Sequence, residues 1–337
     1  MNKKILIIYT GGTIGMKSSE RGYVPITGFE HLIRERLDHS HHALLPHFDL
    51  VELFPLIDSA NLNPSHWSSM VEPIIKHQKS YDGFIVLHGT DTMAYSASAL
   101  SFMLQGLNKP VIFTGSQIPL SELRNDALDN LITSMLLAVE EVISEVCVYF
   151  SGRLLRGNRS SKVKATGLDA FDSPNFPWLG QIGLNIELHT NLFLPDSNDT
   201  FKVPNFTDGA VSIVPIYPGI NGDIISAINS DKKCKAIILR SYGVGNLPDQ
   251  NSSLIQALTK AADSGTVLVN ISQCLQADIR QGQYACSAVL NDIGVISGAE
   301  MTLEAAFSKL HFLTATESSN AIIKQKFPIP LAGEINR

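Results

Sequence analysis

The chain opens with an apolar, β-branched run at Lys4–Tyr9 that ends abruptly in a glycine-rich segment at Gly11–Gly15. Such a run is typical of a buried strand in a parallel sheet. Open α/β sheets bind ligands at the carboxyl ends of their strands, and neighbouring glycines let a ligand approach the backbone closely. The segment therefore predicts an α/β fold with Thr13 at the ligand-binding edge. Thr13 could be a nucleophile, a phosphate-loop residue or only part of a turn.

The same alternation of strand and helix continues along the chain and decides the fold class. Short apolar strands separated by helical segments are the pattern of βαβ units and parallel sheets. Residues 151–177 interrupt this pattern and are predicted to form a long irregular loop. The strands are predicted at 48–54, 84–87, 110–114, 146–150, 211–214, 236–239 and 267–271, and the helices include 29–37, 64–78, 93–104, 128–141 and 302–312.

Length and local composition predict two domains. A chain of 337 residues is long for a single hydrophobic core. The stretch 191–210 is polar, with scattered proline, asparagine and aspartate, and is interpreted as a linker. We therefore expect a larger N-terminal domain at 1–190, Rossmann-like or flavodoxin-like, and a smaller C-terminal α/β domain at 211–337. Each should hold a mainly parallel sheet flanked by helices.

Charge and cysteine usage exclude several classes of protein. The net charge of −6 comes without a basic stripe, so no nucleic-acid partner is expected. No window approaches the roughly 20 apolar residues of a membrane span, and the N-terminal apolar run is too short for a secretory signal. A cytoplasmic protein without membrane contact is predicted. The four cysteines are scattered and the histidine tract at 39–42 lacks a partner motif, which argues against a metal site.

Motif spacing also argues against a nucleotide cofactor. The segment Gly11–Gly15 lacks the residue that separates the first two glycines of G-x-G-x-x-G. A Walker loop needs glycine before its lysine, whereas Met16 precedes Lys17. No serine lies in a G-x-S-x-G elbow. We therefore expect no cofactor, and the phosphate-loop interpretation of Thr13 is disfavoured.

Small hydroxyls and acids remain at three predicted strand ends. These are Thr13, the pair at 58–59 and the pair at 90–91. The carboxyl ends of parallel strands converge on one crevice, so these side chains are predicted to lie together. A threonine hydroxyl becomes a good nucleophile only when a base takes its proton, and a lysine in a desolvated cationic environment could do so. The lysines of the basic loop at 151–177 are candidates, and the pattern favours an acyl-transfer enzyme.

Two of these segments carry a family resemblance. Residues 9–15 (YTGGTIG) and 87–94 (LHGTDTMA) resemble the two signatures of the bacterial-type L-asparaginase family, and matches at 115–117, 156–159 and 240–246 follow in the same order. The resemblance covers nearly the whole chain. Residues 57–59 (Ile-Asp-Ser) stand where the secreted branch typically has Gly-Ser-Gln, which favours the type I, cytoplasmic branch. It implies hydrolysis of L-asparagine to L-aspartate and ammonia, with weaker glutaminase activity at most.

The resemblance assigns catalytic roles to five residues. Thr13 is implied to be the first-choice nucleophile, and Tyr23 is implied to close over it as part of a lid. Thr90, Asp91 and Lys162 are implied to form a second catalytic group. Whether Thr13 attacks covalently or the Thr90–Lys162 pair activates a water stays open at this stage.

The resemblance also implies how the substrate is held. Asp58 and Ser59 would bind its α-amino and α-carboxylate groups, with Asp91 sharing the amine and Thr90 completing the pocket. An ammonium needs a carboxylate, and a carboxylate needs hydroxyl and backbone donors. Asn246 is expected to reach the site of a neighbouring subunit, because members of the family form intimate dimers that commonly pair into tetramers.

A regulatory site is implied as well. In the type I branch Arg240 would bind the carboxylate of an effector asparagine, with Ser161, Ser241 and Cys274 nearby. The family often has threonine at the position of Ser161, and the substitution keeps the hydroxyl. Arg240 could instead serve only as an ion-pair partner.

Two alternatives to an asparaginase share parts of the pattern. The amidase subunit of a tRNA-dependent amidotransferase has the same motifs but usually an added N-terminal domain, whereas this chain starts directly at the first strand. An amino-acid sensor that lost catalysis would be marked by loss of a catalytic residue, and Thr13, Thr90, Asp91 and Lys162 are all present. His88 is interpreted as a packed, hydrogen-bonded histidine rather than a general base.

Overall fold

The computed structural model describes residues 3–20, 22–26, 28–37 and 44–336. The predicted histidine loop at 39–42 lies outside these residues. The chain divides into two compact units, Met1–Val203 and Pro204–Arg337, so the boundary falls within the predicted linker. Residues 192 and 194, at the start of the predicted linker, are hydrogen-bonded to residues of the first unit. The guanidinium of Arg156 donates to Leu192 O at 2.6 Å, and the Glu145 carboxylate accepts from Leu194 N–H at 2.9 Å.

The first unit is built on an eight-stranded sheet. The strands of this unit are β1 (Lys4–Tyr9), β2 (Met16–Ser19), β3 (Gly22–Pro25), β4 (His47–Glu52), β5 (Gly83–Leu87), β6 (Val111–Thr114), β7 (Val146–Phe150), β8 (Arg153–Arg156), β9 (Ser161–Lys162), β10 (Phe171–Asp172), β11 (Gly180–Ile182) and β12 (Ile186–Leu188), and the helices are α1 (Phe29–Arg36), α2 (Ser65–His77), α3 (Met93–Met103) and α4 (Ala127–Leu137). The order of the eight-stranded sheet is β12-β11-β8-β7-β6-β5-β1-β4, with the five strands from β7 to β4 mutually parallel and the other three antiparallel to their neighbours.

The central strands are continuous apolar runs because both faces of the sheet are covered. Every residue of β5, β6 and β7 is buried. Helix α3 is almost wholly buried too, and its serines are accommodated because their hydroxyls bond within the helix. Ser98 donates to Ala94 O at 2.7 Å and Ser101 to Ala97 O at 2.8 Å.

The predicted irregular loop at 151–177 is wrong in its first part. Strand β8 returns antiparallel to β7 as a hairpin, and β9 pairs with β10 in a second short ladder. The tight turn uses Ser151 and Gly152 at φ 49° and 82°, the left-handed conformation that two-residue hairpin turns require. The consequence for the site is that Lys162 stands on a short β-ladder.

The second unit holds a smaller sheet in which all four strands are parallel. Its elements are β13 (Val211–Pro215), β14 (Ala236–Ser241), β15 (Val267–Ser272), β16 (Ile296–Ser297), α5 (Asp223–Ser230), α6 (Ser252–Asp263), α7 (Ala285–Ile293), α8 (Leu303–Thr316) and α9 (Asn320–Lys326). The strand order is β13-β14-β15-β16, and helices follow the strands in the manner of βαβ units. The predicted α/β class, with a larger N-terminal and a smaller C-terminal sheet, is confirmed.

Candidate active site

Three strand-end loops meet at the carboxyl edge of the first sheet. They follow β4, β1 and β5, which are neighbours in the sheet. Thr10 at the end of β1 links all three, because its N–H donates to Leu87 O at 3.1 Å while its carbonyl accepts from Ile57 N–H at 2.8 Å. The Thr92 hydroxyl adds a bond of 2.8 Å to Ser59 O. The loops that carry Thr13, residues 58–59 and residues 90–91 are therefore joined directly.

The glycines of the first loop let these loops cross. Gly12 has φ 85°, and a Cβ atom there would overlap the backbone of Gly89. Gly11 has φ 115°, and a Cβ atom there would overlap Ile57 O. The sequence predicted that these glycines let a ligand approach the backbone closely. In the structure they let the backbones of the neighbouring loops approach instead.

Thr13 begins a short 3₁₀ turn, Thr13–Gly15, and is partly exposed. The turn is braced from inside by the Tyr9 hydroxyl, which donates to Gly15 O at 3.2 Å, and by Leu120 N–H, which donates to Ile14 O at 3.1 Å. No group in the described part of the chain is hydrogen-bonded to the Thr13 hydroxyl. Within the described ranges, that hydroxyl is therefore held on a braced turn without a hydrogen-bond partner.

Thr90 is the centre of a polar cluster and is only 6% exposed. The Lys162 ammonium donates to Thr90 Oγ1 at 2.8 Å and to Asp91 Oδ1 at 2.7 Å. The Thr90 hydroxyl in turn donates to Gln117 Oε1 at 3.2 Å. The hydroxyl proton of Thr90 therefore points at Gln117. Lys162 could accept that proton only if it were a neutral amine that no longer donates to Thr90 Oγ1.

Gln117 is a member of this cluster that sequence reasoning assigned no role. Its amide nitrogen donates to Ala165 O at 3.0 Å and to Gly167 O at 3.1 Å. Carbonyl oxygens only accept, so these two bonds determine which end of the amide faces Thr90. The strand-end rule could have selected Gln117, because it lies in the loop after β6, next to β5 in the sheet.

The two predicted substrate-binding residues lie in the loop after β4. Asp58 Oδ1 accepts from Ala60 N–H at 3.2 Å and so caps the 3₁₀ turn Ser59–Asn61, while its side chain stays exposed. Ser59 is 4% exposed, so it faces the neighbouring loops.

Tyr23 lies on the β2–β3 hairpin, opposite Ser18. It is 52% exposed, and its hydroxyl donates to Glu122 Oε1 at 3.3 Å. The Glu122 charge raises the pKa of Tyr23 above its usual value of 10.0, because it disfavours the phenolate. The Tyr23 hydroxyl is therefore bonded to Glu122, and no hydrogen bond joins Tyr23 to Thr13 among the described residues.

His88 is buried and its protonation state follows from its partners. Nδ1 lies 2.7 Å from Gly89 O and therefore carries the proton, while Nε2 accepts from the Ser96 hydroxyl at 2.9 Å. Trp67 Nε1–H donates to the same hydroxyl at 3.3 Å. Burial lowers the pKa of His88 to about 4, so it is neutral at pH 7. The interpretation of a packed, hydrogen-bonded histidine is confirmed.

The predicted regulatory residues are divided between the two units. Ser161 is on β9 of the first unit and is buried. Arg240 and Ser241 end β14 of the second unit, and Cys274 follows β15 with an exposed thiol. Arg240 donates to Gln273 O at 3.4 Å. Arg240 Nε and Ser241 Oγ are buried without a hydrogen-bond partner among the described residues.

Asn246 also lies in the second unit. Its backbone pairs with Tyr242 in an isolated β-bridge. Asn246 Oδ1 and the Tyr242 hydroxyl are both buried and, in the described ranges, have no hydrogen-bond partner. A buried polar atom without a partner is costly, so these atoms are poorly suited to an isolated chain.

Neither a metal cluster nor a spanning helix is found in the described ranges. No group of three histidine, cysteine or acidic side chains is placed to hold a metal ion there. No helix of the described residues is both long and apolar enough to cross a membrane.

Comparisons with known proteins agree with this geometry. The family model for the asparaginase N-terminal domain matches residues 4–194, and the model for the glutaminase/asparaginase C-terminal domain matches residues 210–327. The chain therefore belongs to the asparaginase family.

Individual relatives are similar over their full length. The chain is 45% identical over 335 residues to L-asparaginase 1 of Escherichia coli (strain K12), covering 99% of this chain and 98% of that protein. The crystal structure of L-asparaginase I from Vibrio cholerae covers all of both chains at 44% identity and a TM-score of 0.91. The thermostable L-asparaginase from Thermococcus kodakarensis covers 99% of both chains at 27% identity and a TM-score of 0.88.

Proposed function

We propose that this chain is an L-asparaginase, which uses water to hydrolyse the side-chain amide of L-asparagine and so forms L-aspartate and ammonia. The observation that carries the proposal is the Lys162 ammonium bonded to both Thr90 and Asp91 at the sheet edge where the Thr13 loop crosses the Thr90 loop. This arrangement supplies hydroxyl nucleophiles, an amine that can relay a proton and carboxylates for an ammonium group. Membership of the asparaginase family supports the same reaction.

In the proposed reaction Thr13 Oγ1 attacks the side-chain carbonyl carbon of asparagine. The C–N bond then breaks, ammonia leaves with the proton of the hydroxyl, and water hydrolyses the resulting ester to release aspartate and restore Thr13. The partly exposed Thr13 hydroxyl, which has no partner in the described part of the chain, supports this role. In the other route Thr90 and Lys162 activate a water that attacks the amide directly, and no ester with Thr13 forms. We propose that Tyr23 moves from Glu122 towards the site when the β2–β3 hairpin closes.

Substrate binding is assigned to the neighbouring loops. We propose that Asp58 and Asp91 bind the α-ammonium group, because both side chains are exposed carboxylates on joined loops. Ser59 and Thr90 then complete the contacts to the α-carboxylate and the reacting amide. No cofactor is proposed.

The protein is expected to release ammonia from L-asparagine faster than from L-glutamine. The measurement is steady-state ammonia release against both amides over a wide concentration range, with heat-denatured protein as the control. Asparagine binding without ammonia release would instead support the amino-acid sensor. A strong preference for glutamine would favour the amidotransferase subunit.

We also propose that asparagine activates the enzyme at a second site in which Arg240 binds the effector carboxylate. The Arg240 Nε and the adjacent Ser241 Oγ, both buried without a partner in the described residues, support a polar ligand there. Cys274, in the same unit, is assigned to this site as well.

Arg240→Ala is expected to move the activation curve to higher asparagine concentration. The substitution removes the cation that binds the effector carboxylate, so more effector is needed for the same population shift. The curve of initial rate against asparagine measures this, with Arg280→Ala as control because Arg280 forms an exposed pair with Asp278. A wild-type curve that is hyperbolic at all concentrations would remove the regulatory site.

We further propose a cytoplasmic homo-oligomer, a dimer that pairs into a dimer of dimers. Asn246 Oδ1 and the Tyr242 hydroxyl have no hydrogen-bond partner within the described chain, and a local rearrangement on assembly would let a neighbouring subunit supply one. On this proposal Asn246 reaches the site of a neighbouring subunit.

We also propose that the chain has two domains, at 1–190 and 211–337, joined by the linker at 191–210.

A further inference from the structure

Asp126, directly before helix α4, binds the loop that carries Gln117. Its carboxylate accepts two successive backbone N–H groups, that of Gln117 on Oδ2 at 3.0 Å and that of Ile118 on Oδ1 at 2.9 Å. Both carboxylate oxygens are thus used by adjacent peptide groups. A carboxylate that accepts two N–H bonds holds a loop more firmly than a single neutral hydrogen bond does.

Asp126 stands at the N-cap position of helix α4, where an aspartate side chain would be expected to cap the helix. An aspartate at the N-cap of a helix ordinarily accepts hydrogen bonds from the first turn of that helix. Here Asp126 occupies the N-cap of α4 without capping it. Asn125 Oδ1 accepts from Ala127 N–H at 3.1 Å and Leu128 N–H at 3.2 Å instead. The helix is therefore capped by another residue, and the carboxylate serves the loop at 117–118.

Asn130, one turn further along α4, supports the same loop. It is 3% exposed, and its amide nitrogen donates to Gly115 O at 3.0 Å and to Asp126 Oδ2 at 3.3 Å. Its amide oxygen accepts from Ser151 N–H at 3.1 Å. The start of α4 thus holds both ends of the segment at 115–118, and Asn130 orients the carboxylate that does so.

The side chain of Gln117 continues this network to the reacting group. Its Oε1 accepts the Thr90 hydroxyl, and its amide nitrogen is bonded to two carbonyls of the loop after Lys162. Because the amide is clamped at one end by those carbonyls and at the other by its own backbone, a shift of the Gln117 backbone would move Oε1 relative to Thr90. Misplacement of a catalytic group by about 1 Å can cost roughly 100-fold in rate.

We propose that Asp126, braced by Asn130, is a positioning residue for the reaction at Thr90. It acts through Gln117, because it sets the backbone from which the Gln117 side chain directs the Thr90 hydroxyl. The proposal rests on the proposed asparaginase activity.

Asp126→Asn is expected to lower kcat for asparagine by between about 10- and 100-fold with KM little changed. An amide can accept at only one of the two positions, so one of the backbone N–H groups of the loop would face an NH₂ donor. The matched control is Asp129→Asn, which removes the same charge from the same helical turn at an exposed side chain and should leave both constants unchanged. Thermal unfolding of both variants separates loss of fold from loss of positioning.

A double-mutant cycle with Gln117→Ala distinguishes positioning from a general structural role. If Asp126 acts through Gln117, Asp126→Asn should cause little further loss of kcat in the Gln117→Ala background. Additive losses, or an unchanged kcat in Asp126→Asn, would overturn the proposal. A wild-type chain that releases no ammonia would instead refute the proposed function, so the two failures are distinguishable.

Discussion

Thr13→Ala is expected to abolish ammonia release from asparagine while the fold is retained. The substitution removes a hydroxyl at the loop crossing that has no hydrogen-bond partner in the described residues, so the network around Thr90 keeps all its bonds. Loss of a covalent nucleophile typically lowers kcat by roughly 10⁴-fold or more. Ammonia release under saturating asparagine measures the effect, and thermal unfolding reports the fold.

Thr13→Ser is the matched variant for this prediction, because it keeps the hydroxyl on the same turn and should retain measurable turnover. Mass spectrometry of the intact protein, quenched during turnover, should detect an acyl adduct on wild type and none on Thr13→Ala. Full activity of Thr13→Ala would exclude Thr13 as nucleophile and favour the route in which Thr90 and Lys162 activate a water.

The convergence of the strand ends was predictable because it depends on a local pattern and a general rule. Each apolar run is long enough to define a buried strand, and parallel neighbours bring their carboxyl ends to one edge. Thr13 and Thr90 each follow such a run, Ser59 follows the alternating strand β4, and the structure joins their loops through Thr10 and Thr92. The two glycines at 11 and 12 were equally visible, but their role in admitting neighbouring loops depends on contacts that no local pattern encodes.

The parts that were not predicted depend on contacts between residues far apart in the chain. The β7–β8 hairpin was missed because its turn is Ser151-Gly152 rather than a common Asn-Gly pair, and because Arg153–Arg156 has no clear alternation of polar and apolar residues. Gln117 and Asp126 acquire their roles only when α4, the loop after β6 and the loop after β9 come together. The bond from Tyr23 to Glu122 spans 99 residues and has no local signature.

Thr90→Val is expected to reduce kcat by roughly 10³-fold or more, with a much smaller change in KM. Valine has nearly the shape of threonine, so the buried site stays filled, but Lys162 and Gln117 each lose a hydrogen-bond partner. Lys162 still forms its ion pair with Asp91, so the ammonium keeps a charged partner. The measurement is the full dependence of rate on asparagine, because it separates kcat from KM.

Thr90→Ser restores the hydroxyl and is expected to recover most of kcat, since the bonds to Lys162 and Gln117 need only the oxygen and its proton. The comparison of serine with valine therefore isolates the hydroxyl from the loss of the methyl group. A loss confined to KM in Thr90→Val would assign Thr90 to substrate binding. Because Lys162 donates to this same oxygen, that result would also remove the reason for placing Lys162 in the chemical step, and the reaction would then depend on Thr13 and a base other than Lys162.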